Sequence, residues 1–83
     1  MSQYDPIPPH MLEAMKKYVA TGEVSSDFLI GVIENDLRKA VSHADDHNRT
    51  IIYLYVIWFY NRAPMQCWGS HNKRVGWTGT GEI

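Results

Sequence analysis

The sequence predicts an all-α fold: a small three-helix domain with a short C-terminal helix, assembling as an oligomer. Three observations carry this. Apolar residues recur at helical spacing over two early segments, the middle of the chain holds the uninterrupted apolar run Ile51 to Tyr60, and no segment alternates as a half-buried strand does. The 83 residues make a single domain over 1–83, with 1–7 as a flexible arm and 78–83 as a frayed tail. A chain of this length buries only about 60% of the surface that its unfolded form exposes, so its stability needs help. One cysteine, Cys67, removes an intrachain disulfide framework and suits a reducing cytosol. Dense packing, a metal or oligomerisation remain, and the sequence favours oligomerisation.

The first helix begins at Pro8-Pro9, because proline is tolerated in a first turn where its missing N–H has no partner to lose. Leu12, Met15 and Val19 form its apolar stripe, and Gly22 ends it as a C-terminal glycine does. The second helix starts at Ser25 or Ser26, with Asp27 favourably placed in its first turn. Its stripe is Leu29, Ile33, Leu37, Ala40 and Ala44, flanked by Phe28, Val32 and Val41. Asp36 falls inside that arc. A buried carboxylate costs several kcal/mol (roughly) unless paired, so a partner is expected in Lys39, His43, a backbone N–H or another chain.

Asp45-Asp46 caps the third helix, His47 to Asn61, which Pro64 closes off. Its β-branched and aromatic letters also suit a buried strand, but the run is long, capped, and without a second strand to pair with. Ten apolar residues are half of the roughly 20 that a membrane-spanning helix needs. The rod must therefore be buried in protein. Two short neighbours cover about half of its circumference, which leaves aromatics among Tyr53, Tyr55, Trp58 and Tyr60 for another subunit. Ser70 caps a short last helix through Trp77, and Trp68 and Trp77 pack back over the bundle at about 3 kcal/mol each.

Charge and motifs exclude more than they assign. Eight Lys and Arg against nine Asp and Glu lack the basic excess that long nucleic acids demand. Met1 to Pro9 lacks the basic-then-apolar pattern of a secretory signal. No motif specifies a reaction or a cofactor, and the chain reads as a non-enzyme with no metal. His43, His47, Cys67 and His71 offer four zinc ligands in two pairs, but C-x-x-x-H is not a usual pair and a helix break between the two histidines spoils their i, i+4 geometry. Cys67 beside Trp68 reads as a buried hydrophobe before it reads as a nucleophile served by His71.

Phe28-Leu29, Val32-Ile33, Asn35-Asp36-Leu37, Ala44-Asp45, Asn48-Arg49, Tyr60-Asn61, Pro64 and Cys67-Trp68-Gly69-Ser70 form an ordered string over residues 7–77. The string resembles a family of small uncharacterised proteins of tailed-phage and prophage genomes, with the pattern F-L-x-x-V-L-x-N-D-L, then A-D-x-x-N, then Y-N-x-x-P-x-x-C-W-G-S. Ser25, Ser26 and Asp27 stand where that family has proline and glycine, and Leu54 and Ile57 are apolar where it has polar residues. The resemblance implies a phage-encoded accessory protein, working in the cytoplasm of the infected bacterium, and implies no activity.

Two readings follow. In the first, the protein binds a host protein, for instance a defence or metabolic enzyme, and inhibits or redirects it through Tyr53, Tyr55, Trp58, Asp36 and His43, with the acidic Asp45 and Asp46 nearby. In the second, an oligomer encloses a small nucleotide-like ligand, with Arg38, Lys39, Arg62, Lys73 and Arg74 as phosphate contacts. Neither involves a membrane or a long nucleic acid.

Overall fold

The computed structural model describes residues 3–81. All regular structure among them is helical. The order is α1 (Pro9–Thr21), α2 (Asp27–Ile33), α3 (Leu37–His43), α4 (Asp46–Thr50), α5 (Ile52–Arg62), a 3₁₀ turn at Met65–Cys67, and α6 (His71–Gly76).

Helix α1 follows the expected signals. Pro9 occupies its first turn, and Gly22 closes it in the left-handed region at φ 81°, donating its N–H to Tyr18 O at 2.7 Å. A side chain at Gly22 would also collide with the Trp77 carbonyl, 2.4 Å from an ideal Cβ. Glycine there serves both a helix end and a close crossing of the chain. Met15 and Tyr18 are fully buried, whereas Leu12 and Val19 are half-buried.

The expected second helix is two helices. After Ile33 the chain makes a Schellman turn: Asn35 N–H bonds to Val32 O (3.1 Å), and Asp36 N–H reaches back to Gly31 O (2.8 Å). Asn35 takes the left-handed conformation at φ 59°, which asparagine adopts more readily than most residues. Asp36 then caps α3, its Oδ1 accepting from Lys39 N at 3.1 Å. The carboxylate is therefore exposed, not buried in an apolar arc, and its partner is a backbone N–H. The turn folds α3 back on α2, and Gly31 makes the contact possible: an ideal Cβ at Gly31 would lie 2.5 Å from Ala40 N. Leu37, expected in the core stripe, is 69% exposed.

The expected third helix is divided as well. Asp45 caps α4 through Asn48 N at 2.7 Å, and Ile51 then leaves helical geometry at φ −119° before α5 begins. The break lies in Thr50-Ile51-Ile52, where three successive β-branched side chains crowd the preceding turn. Ile51 is 8% exposed, so leaving the helix keeps its side chain in the core.

The core is built on the inner face of α5. Leu54, Tyr55, Trp58 and Phe59 are buried against Tyr18, Phe28, Leu29 and Ile33. Phe59 lies at its centre, with ring centroids 5.2 Å from Trp58, 5.8 Å from Trp68 and 6.4 Å from Tyr18. Phe28 meets Tyr55 edge-on at 4.8 Å, a preferred aromatic arrangement.

Both chain ends depart from expectation. The flexible arm is docked over its described part: Tyr4 and Ile7 are buried, Arg62 lies over the Tyr4 ring at 5.7 Å, and the His47 ring donates to Pro6 O at 2.8 Å. The frayed tail runs back along the end of α1. Trp77 Nε1 donates to Tyr18 O and Val19 O, both at 3.1 Å, Thr80 N bonds to Val19 O and Gly81 N to Ala20 O. Residues 1, 2, 82 and 83 of the arm and tail lie outside the described residues. Trp68 and Trp77 pack on the core as expected.

Candidate protein-docking surface

The neighbours of α5 cover one side of it and leave the other open. Tyr53 (58% exposed), Val56 and Tyr60 (79%) stand outward at positions i, i+3 and i+7, one stripe of a helix. Helix α3 adds Leu37 and Val41, one turn apart on its exposed face. The two stretches meet at a groove of about 350 Å³ lined by Val32, Asp36, Leu37, Tyr53, Val56 and Ile57 among others. At the far end of α5 a second hollow, about 600 Å³, is lined by Tyr60, Met65, Trp68, Gly69 and Lys73. Isolated apolar residues on a surface are ordinary, whereas a connected series of this kind makes the surface a candidate for interaction.

The predicted binding residues divide cleanly. Asp36 and Tyr53 come together across the groove. Tyr55 and Trp58 do not take part: they are 0% and 6% exposed, Tyr55 donating its hydroxyl to Asn48 Oδ1 and Trp58 stacking edge-on against Phe59. An all-apolar helix carries no mark of which face turns inward, and here the Tyr55–Trp58 face does. Leu54 joins that face, so its apolar character is core packing, while Ile57 is half-buried at the groove. His43 is exposed at the end of α3 and does not line the groove.

The five candidate phosphate contacts are not gathered. Arg74 Nε donates to Glu34, Arg62 covers Tyr4, and Arg38 and Lys39 lie on α3. Lys73 alone among the five lines either hollow, and its ammonium donates to Met65 O at 3.2 Å.

Glu34 had no role in the sequence reading, yet it ties α6 to the end of α2. It accepts from Arg74 Nε and from His71 Nδ1 at 2.7 Å, with its own side chain only 10% exposed. Burial works to raise its pKa, but the Arg74 and His71 hydrogen bonds outweigh burial and hold the carboxyl below its ordinary value. Gly69 N–H adds a bond to Ile33 O at 2.6 Å. The alternation of acid at the end of one helix and Arg or His on a later one was the only sequence signal.

The four residues weighed as an alternative zinc set are not gathered into one group. His47 is engaged by Pro6 and His71 by Glu34, and among the described residues no three His, Cys, Asp or Glu side chains cluster to hold a metal. Cys67 is fully buried, and burial pushes its thiol up to about 11, away from the thiolate that a nucleophile requires. Tyr18 donates its hydroxyl to Cys67 O at 2.7 Å, which fixes this turn to α1. Among the described residues no helix is long and apolar enough to cross a membrane. Compared with known protein families, curated proteins and solved structures, the chain matches none.

Proposed function

We propose that this chain is a phage-encoded accessory protein that binds a host protein in the infected cell and inhibits or redirects it, working as a homo-oligomer and without catalysis of its own. The observation that carries the binding reading is the connected apolar surface of α3 and α5, exposed in a domain that already has a full core. Phage origin rests on the motif string from Phe28 to Ser70 and its resemblance to phage proteins. The host-facing part is the outer face of α3, Leu37 and Val41, with Asp36 at one end and His43 at the other. Apolar contacts at the centre of such a patch, ringed by polar groups, supply most of an interface's energy.

The nucleotide reading has less support, because only Lys73 of its five cations stands beside an aromatic hollow.

The test is affinity capture from bacterial lysate with the native chain and with the double substitution Leu37→Ser, Val41→Ser. Both positions are exposed, so the variant keeps its fold. A host protein retained by the native chain and lost by the variant is the expected result. Equal retention by both, or none by either, overturns the reading.

A further inference from the structure

The hollow at the far end of α5 is built on fixed parts of the fold, and it carries a cation that no acid balances. Three segments meet there: Tyr60 comes from α5, Met65, Trp68 and Gly69 from the 3₁₀ turn and its exit, and Lys73 from α6. From this arrangement we propose that the hollow is a small-molecule site whose ligand is a planar aromatic carboxylate. The site stands apart from the α3 face assigned to host binding and does not depend on it.

The floor of the hollow is held from several sides. Trp68 is half-buried and packs on Phe59 at the centre of the core, with 5.8 Å between ring centroids. One residue earlier, Cys67 O accepts from the Tyr18 hydroxyl, and one residue later, Gly69 N–H bonds to Ile33 O. Glu34 fastens α6 to the end of α2. The volume of about 600 Å³ falls in the usual range of ~300–1,000 Å³ for small-ligand sites, which are largely preformed and mostly apolar, with a few placed polar groups.

Here the placed polar group is Lys73. An ammonium has three donors, and one of these goes to Met65 O at 3.2 Å, which ties the charge to the rim of the hollow. Other cations have acids to face: Lys16 and Lys17 pair with Glu13 and Glu23, and His71 and Arg74 share Glu34. Among the described residues Lys73 has no ion-pair partner. Gly69 leaves the approach to it open, since an ideal Cβ there would meet only the Lys73 ammonium, at 3.8 Å. The rings of Trp68 and Tyr60 and the thioether of Met65 are suited to pack against a flat π system. One unbalanced ammonium matches one negative charge. With Arg74 and His71 engaged by Glu34, a polyphosphate would lack a second partner, which leaves a ring bearing a single carboxylate.

The test uses naphthoate and the full native chain, followed in proton–nitrogen correlation spectra. Naphthoate should shift the Trp68 indole N–H and the Gly69 amide saturably, with a Kd below about 1 mM. Naphthylmethanol, the same ring without the charge, should bind about fivefold more weakly, the scale of one favourable ion pair at a surface, and naphthylmethylamine more weakly still. Lys73→Gln, at an exposed position, should lower the naphthoate affinity to that of naphthylmethanol and leave naphthylmethanol unchanged. The absence of a saturable shift at Trp68 and Gly69, or equal affinity for the three probes, overturns the proposal on the native chain alone. So does a Lys73→Gln chain that keeps the preference for naphthoate, because the charge is then read elsewhere.

Discussion

The guanidinium of Arg74 on α6 donates through Nε to the carboxylate of Glu34 at the end of α2, 40 residues earlier, with Arg74 24% and Glu34 10% exposed. This pair, with His71 on the same oxygen, holds the C-terminal helix against the first helical hairpin.

Glu34→Gln removes the charge and keeps the shape. The loss should be about 2 kcal/mol, typical of charge-assisted hydrogen bonds at a largely buried site. The pH dependence has a definite sign. A carboxyl held below its ordinary value of 4.5 contributes fully above that pH and loses its contribution as acid protonates it. Urea midpoints of the native chain should therefore fall as the pH drops below about 4.5, and those of Glu34→Gln should fall less steeply. Parallel acid limbs would show that Glu34 is not the group responsible.

Gly31→Ala sets helix propensity against packing. In an exposed helix the change stabilises by about 1 kcal/mol. At Gly31 the new methyl would sit 2.5 Å from Ala40 N and 2.8 Å from Ala40 Cα, so backbone must move. A net destabilisation of about 2 kcal/mol is expected from thermal or urea unfolding, in the range of overpacked cores.

The two tyrosines two residues apart should respond unequally to loss of their hydroxyls. Tyr55→Phe leaves the Asn48 amide oxygen, in a residue 8% exposed, without its hydroxyl donor, and should cost about 1–3 kcal/mol. Tyr53→Phe, at a site 58% exposed, should change folding stability by less than about 0.5 kcal/mol. Equal effects at both would contradict the inward and outward faces assigned to α5.

Cys67 should be silent to thiol reagents at pH 8. Full burial and a thiol pushed up to about 11 leave almost no accessible thiolate. Labelling should appear only with denaturant, at the rate of unfolding. Rapid labelling of the native protein would mean that the Met65–Cys67 turn opens on its own.

Helix ends that depend on one residue were legible in the sequence. Gly22, Ser26, Asp45 and Ser70 terminate or cap helices as their chemistry suggests. The break at Asn35-Asp36 escaped because Leu29, Ile33, Leu37, Ala40 and Ala44 keep helical spacing across it, and a turn that folds a helix back preserves such a pattern without burying all of it. The signal was the Asn-Asp pair itself: one residue tolerant of the left-handed region, followed by a strong cap. Which face of α5 turns inward could not be read, since hydrophobicity is nearly uniform around it, and so Tyr55 and Trp58 were placed on the surface with Tyr53. The ends misled for another reason. Proline and glycine look loose in sequence, but in Tyr4 to Pro9 and Trp77 to Gly81 they allow tight turns and close backbone approach, as at Gly79, where a side chain would strike Ala20 O.

The strand-like lacing of residues 77–81 along the last turn of α1 has a consequence for how the domain comes into being. Helix α1 is finished off by a segment 59 residues further along the chain, and its glycine corner is shaped around that segment's carbonyl. An amino-terminal half cannot settle early and wait. The domain should assemble in a single cooperative step once its whole length is available, and pieces cut short before Trp77 should be prey for proteases.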